Sequence, residues 1–193
     1  MILDYYTTKI FPTKIFFKDL INDNEINKPL ESEIIKLSKV EQSLQLSNVK
    51  GWHSNTNLHH KNEFSFIKNK IESFLQGIYE VNNIAGVSEI TAMWANINSE
   101  GCSNSIHVHP NSIFSGVYYV TYPENSGHLY FKDPRPGCEM VKPNYTSSAD
   151  EFYTKQPFIG APGMCFIFPS WMPHGVEINN TKENRISISF NVR

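Results

Sequence analysis

"IHVHPNSIFSGVYYV", residues 106–120, sets two histidines, His107 and His109, just ahead of a run of β-branched and aromatic residues. Alternation along a strand sends residues i and i+2 to one face, so both imidazoles point the same way. The same parity puts Ser115, Val117 and Tyr119 together on the next run. Two imidazoles directed to one spot call for something that holds them, and a metal ion is the simplest candidate.

Working outward, the period of the apolar residues changes once along the chain. "NKPLESEIIKLSKVEQSL" (27–44) places Leu30, Ile34, Leu37, Val40 and Leu44 at three- and four-residue steps, with Pro29 suited to a first helical turn. "EFSFIKNKIESFLQGIYEVN" (63–82) repeats the helical spacing through Phe64, Ile67, Ile71, Phe74, Leu75 and Ile78, with Asn62 as its cap. The polar stretch 49–62 between them reads as a loop that leaves His53, His59 and His60 solvated. After Ala85-Gly86, "SEITAMWANIN" alternates, with Ile90, Ala92, Trp94 and Asn96 on one face and Thr91, Met93, Ala95 and Ile97 on the other. Strand-like runs follow at 105–109, 114–122, 128–132, 152–159, 164–168, 173–178 and 185–192, separated by turn signals such as "PENSG" and "APG". Helices followed by many short strands give an α+β, mainly β chain whose strands close into a sandwich or barrel. One domain over 1–193 is expected, with a helical wrapper over 1–87, the β core over 88–193, and a long Pro- and Ser-rich loop at 133–150 that suits a lid or binding role.

Composition narrows the function classes. Seventeen basic and nineteen acidic residues leave a net charge of −2, with no basic stripe for nucleic acid. No stretch reaches the roughly 18 apolar residues of a membrane span, and the first residues, with Asp4, Lys9 and Lys14, lack a signal peptide's apolar run. Cys102, Cys138 and Cys165 are odd in number and unpatterned, as reduced thiols of a cytoplasmic protein would be.

Two further residues give the histidine pair a chemistry. His174, in "FIFPSWMPHGVEI", follows an apolar strand and a Pro169-Ser-Trp171 bend, and can be carried alongside His107 and His109 by a closed β structure. Eleven residues later Arg185 opens "RISISFNVR", sharing a face with Ser187 and Ser189. An arginine turned into a sheet interior is costly unless it meets an anion, and its planar fork fits a carboxylate. Asn111 is an alternative to His107 in a shifted register, although Pro110 and the weak affinity of an amide argue against it. Asp133 and Glu177 are the nearest carboxylates, without the spacing of ligands. Trp94 and Asn96 line a pocket together, with a core role equally open for Trp94; His128 points with Tyr130, opposite Leu129; and Asp133 with Arg135 pins a turn.

The order His-x-(acid), His and then Arg-x-Ser about ten residues on is the pattern of the 2-oxoglutarate- and Fe(II)-dependent oxygenases. The segments "HVHPNSIFSGVYYV", "SGHLYFKDPR", "FPSWMPHGVE" and "RISISFN", with the earlier "FPT", "GWHS" and "MWANIN", resemble one family of that superfamily over nearly the whole chain. The resemblance implies a double-stranded β-helix (jelly-roll, cupin-like) core with flanking N-terminal helices. It also implies Fe(II), 2-oxoglutarate and O2 as cofactor and cosubstrates, and oxidation of a prime substrate coupled to conversion of 2-oxoglutarate to succinate. Carried over, His107 and His174 are metal ligands, with His109 standing where most of the superfamily has Asp or Glu. Arg185, with Ser187 and Tyr119, binds the far carboxylate of 2-oxoglutarate, Leu129 packs on its carbon chain, and Asn96 lines the same pocket. Two alternatives remain at this level: a metal-holding jelly-roll with a binding or structural role, and a three-histidine cupin-like enzyme such as a zinc hydrolase. The expected partners are a prime substrate of open class and, as one option, a second copy of the chain in a homo-oligomer.

Overall fold

A computed structural model describes residues 6, 8–21, 24–140 and 154–193. Residues 1–5 and most of the loop expected at 133–150 therefore lie outside the described residues. The alternating segments form two antiparallel sheets that face each other as a double-stranded β-helix. In chain order the strands are β1 (Phe16–Asp19), β2 (Asn48–Val49), β3 (Trp52–His53), β4 (Ile90–Asn98), β5 (Ser103–His107), β6 (Phe114–Thr121), β7 (Leu129–Lys132), β8 (Lys155–Phe158), β9 (Met164–Pro169), β10 (His174–Val176) and β11 (Arg185–Val192). One sheet runs β1-β9-β6-β11-β4-β3 and the other β2-β5-β10-β7-β8.

Alternation divides the larger sheet into two chemically distinct faces. Met93, Ala95, Ile97, Tyr118, Val120, Ile186, Ile188 and Phe190 turn outward and are buried by the two helices, α1 (Asn24–Val40) and α2 (Ser65–Val81). The helices contribute Leu30 and Ile34 from α1, and Ile67, Ile71, Leu75 and Ile78 from α2, at the spacing that makes one apolar stripe. The opposite face turns inward, where Val117, Tyr119, Leu129, Phe131, Phe166 and Phe168 pack between the sheets. The same inner face carries the residues that build the site.

Local departures from the sequence reading have local causes. The first helix starts at Asn24, so Pro29 lies inside it, and ends at Val40, which is 79% exposed. Leu44 lies beyond that end, because tertiary partners take the next backbone groups: the Trp52 indole donates to the Glu41 carbonyl at 3.1 Å, and Leu44 N–H donates to the His53 carbonyl at 3.0 Å. Asn62 does not cap the second helix; it opens a 3-10 turn (Asn62–Phe64) that leads into it. Ile90 does not share the face of Trp94. Ala92 pairs with Asn191 and Ile90 with Val192, so Thr91 is the extra residue of a bulge, and Ile90 turns to the helix side. The polar stretch 49–62 contains β3 and two 3-10 turns, and the first 87 residues add three strands to the sheets besides the helices.

Candidate active site

β5 and β10 lie side by side with His107 opposite His174. His109 lies just past the end of β5, where Pro110 and Asn111, at φ 64°, form a turn. The pair is therefore not held by strand alternation alone. The His109 N–H donates to the Ser170 carbonyl at 2.9 Å, which ties it to the bend before His174. That bend is a turn closed by Met172 N–H on the Pro169 carbonyl at 2.9 Å. The three rings converge: His107 and His174 have centroids 4.3 Å apart, and the Nε2 atoms of His109 and His174 are 3.2 Å apart. One nitrogen from each of the three lies within 4.8 Å of the others, and among the described residues no other group of His, Cys, Asp or Glu gathers in this way.

Hydrogen bonds set the tautomers. Nδ1 of His107 donates to the Ser105 carbonyl at 2.8 Å, and Nδ1 of His174 to the Met172 carbonyl at 2.9 Å. Each Nε2 then keeps its lone pair for a metal, with the backbone fixing the ring orientation. Burial, reinforced by the neighbouring rings, lowers His109 to about 4 and His174 to about 3; burial also lowers His107. Three neutral imidazoles meeting at one point form a donor set for a divalent transition metal. Asp133 is held by Arg135, and Glu177 by Lys155 at 2.8 Å, so neither carboxylate joins them.

Deeper between the sheets the same cavity reaches Asn96, Tyr119, Leu129, Arg185 and Ser187. Register explains the grouping: Ser187 of β11 lies between Asn96 of β4 and Tyr119 of β6. Arg185 is 1% exposed. Its Nη1 donates to the carbonyls of Ser126, Gly127 and Glu177, while Nη2 has no partner. None of the ion pairs among the described residues includes Arg185. The Tyr119 hydroxyl is also buried and unpartnered, as is Asn96 Oδ1. Burial raises the Tyr119 pKa, so the phenol remains a neutral donor. A buried guanidinium with no counter-ion among the described residues, beside an unspent hydroxyl, has the chemistry to accept a carboxylate.

All eight site residues expected from sequence line this cavity. One further residue was read otherwise. His53 is 2% exposed rather than solvated, and its ring stacks on Trp94 at 5.5 Å and 11°. Trp94 in turn leans on His109, with centroids 5.7 Å apart. The two-residue strand that buries His53 is too short to show a period; "GWHS" was the available signal. His128 sits as expected, opposite Leu129, with Nδ1 2.7 Å from the Tyr122 hydroxyl.

Fold and site together suit a metal enzyme of the double-stranded β-helix class with a second, anion-accepting end to its cavity. Residues 92–191 match the family described as "Putative 2OG-Fe(II) oxygenase", and the chain belongs to that family. It is a 2-oxoglutarate- and Fe(II)-dependent oxygenase, working with O2. Solved structures agree on the fold. The epimerase SnoN from nogalamycin biosynthesis, in complex with Fe3+, α-ketoglutarate and nogalamycin RO, superposes with a TM-score of 0.69 at 11% identity, over 93% of this chain and 78% of that one. A prolyl-4-hydroxylase of Pseudomonas putida gives 0.67 at 10% identity, over 94% and 92% of the two chains. HygX of Streptomyces hygroscopicus, with nickel and 2-oxoglutarate bound, gives 0.65 at 10% identity, over 93% and 82%. No curated protein sequence matches the chain significantly.

Proposed function

We propose that His107, His109 and His174 are the protein ligands of the iron, and that Arg185, Tyr119 and Ser187 bind the far carboxylate of 2-oxoglutarate. Bound there, the iron supplies the redox chemistry with O2 that turns 2-oxoglutarate into succinate and carbon dioxide and oxidises the prime substrate. The protein's own work is placement. Backbone carbonyls hold the His107 and His174 rings by Nδ1, which leaves Nε2 of each as the nitrogen that would ligate the metal. Arg185, braced by three carbonyls on Nη1, offers Nη2 to the carboxylate, and Tyr119 adds a neutral hydroxyl. Leu129, 2% exposed, packs on the carbon chain, and Asn96 borders it. No side-chain acid or base is required.

The observation that carries this reading is the unpaired Arg185 guanidinium sharing one cavity with the histidine cluster. A structural metal site or a zinc hydrolase has no need of a carboxylate receptor there. The protein's setting is read as cytoplasmic from its three free cysteines; no described helix is long and apolar enough to cross a membrane. The test adds Fe(II) and 2-oxoglutarate to metal-free protein under nitrogen and records the weak visible charge-transfer band of the chelate. The band is expected in wild type and weakened in both Arg185→Ala and His109→Ala. Metal binding without any band overturns the assignment.

A further inference from the structure

The histidine cluster separates two cavities of opposite character. Trp94, His107 and His109 line both. The inner one ends on Arg185. The outer one, about 430 Å³, opens to solvent past Leu46, Ile106 and Val108, which are 68%, 47% and 42% exposed. Not one of its lining residues is Lys, Arg, Asp or Glu. A charged group entering there would lose hydration and meet no side chain of opposite charge among the described residues.

The floor of the outer cavity is also specific. Trp94, stacked on His53 and leaning on His109, is an aromatic wall of the outer cavity at its border with the histidine cluster. The Nδ1–H of His53 is given to the Ser54 carbonyl at 2.6 Å, so its Nε2 is an acceptor. Among the described residues no protein donor takes that nitrogen, and His53 borders the outer cavity.

Resting on the proposed metal site, we infer that the group oxidised by this enzyme is uncharged and largely apolar, seated on Trp94, and carries an O–H or N–H that is accepted by His53. The inner cavity selects an anion, whereas the outer one selects a neutral group, so cosubstrate and substrate do not compete for the same wall. Ser47, Thr56 and Asn191 add neutral polar edges without changing that choice.

The test replaces iron with Mn2+, which relaxes nearby protons, in protein saturated with 2-oxoglutarate. Proton relaxation is measured for benzyl alcohol, toluene, benzylammonium and benzoate. Benzyl alcohol is expected to bind at least about tenfold better than either charged probe, and threefold to tenfold better than toluene. Thr56→Trp, which fills the outer cavity, should abolish its relaxation. His53→Phe, which keeps a ring on Trp94, should bring benzyl alcohol down to toluene. The methylene protons of 2-oxoglutarate, read in the same tubes, report on the metal and Arg185 and show that each variant is folded. If they are not relaxed in wild type, the proposed metal site fails and this inference with it. If they are relaxed while a charged probe matches benzyl alcohol through the path that Thr56→Trp closes, or while benzyl alcohol shows no relaxation, the inference alone is overturned. Equal relaxation by toluene in wild type removes His53 from it.

Discussion

Arg185→Met separates the two roles that a buried arginine can have. In the free protein the guanidinium is 1% exposed, and among the described residues it has no anionic partner and leaves Nη2 without a hydrogen bond. Methionine fills a similar length and removes that uncompensated charge, which favours the variant. It also strands the carbonyls of Ser126 and Glu177, whereas that of Gly127 keeps the Tyr122 hydroxyl, and this disfavours it. These terms oppose each other, so the stability of the free protein should change by no more than about 2 kcal/mol. The cosubstrate complex has no such compensation. One or two charge-assisted hydrogen bonds from Nη2, at ~1.5–3 kcal/mol each, are lost, and a carboxylate is left buried. A loss of about 3–4 kcal/mol raises Kd for 2-oxoglutarate roughly 10²- to 10³-fold. Nickel-loaded protein with 2-oxoglutarate at a hundred times the wild-type Kd should gain about 2.7 kcal/mol in stability. For a chain of this size that corresponds to a Tm increase of roughly 5–10 °C. At the same concentration Arg185→Met should show a shift below about 2 °C. A variant that binds nickel and keeps the wild-type shift refutes the assignment of Arg185 to the cosubstrate.

Tyr119→Phe removes a buried hydroxyl that has no partner in the free protein, so urea denaturation should show unchanged or slightly higher stability, while the 2-oxoglutarate Kd rises about 5- to 15-fold. Equal losses in both measurements would make the hydroxyl structural instead. Gly116→Ala would place a Cβ 2.3 Å from Phe190 Cζ and 2.7 Å from the Phe166 carbonyl, in the packed centre of the larger sheet; a loss of about 2 kcal/mol or more is expected by denaturation, and a neutral result would show that β6 has room to move. The histidine cluster also sets an acid limit on the metal-free protein. His109 and His174 are neutral in the folded state down to about 4 and about 3, whereas the unfolded chain takes up those protons near 6.5. The unfolded state thus binds more protons over that window, so stability is complete above about pH 6.5 and falls as pH drops toward 4, by ~1.4 kcal/mol per pH unit for each histidine. Urea midpoints between pH 7.5 and 5 that stay flat would show that the rings are not buried neutral.

What the sequence determined by itself is what repeats or stands in a fixed order. The helical stripe from Ile67 to Ile78 and the alternation of Trp94 and Asn96 against Met93 and Ala95 are periodic, so each announces its buried face before any partner is known. The order His107, His109, His174, Arg185 is likewise visible without coordinates, because the chemistry needs those residue types and the fold brings them together in that order. Only the tertiary structure decided features set by a partner far along the chain. The first helix ends at Val40 because Trp52 and His53 capture the next backbone groups, and Ile90 changes face because Thr91 bulges against β11. His109 lies outside its strand yet reaches the cluster through Ser170, a bond across the bend to the other sheet. His53 is buried by a strand of two residues, too short to carry a period. The counter-ion that Arg185 lacks among the described residues is the clearest case: a sequence displays the arginine, but whether any carboxylate reaches it depends on where every other chain segment goes.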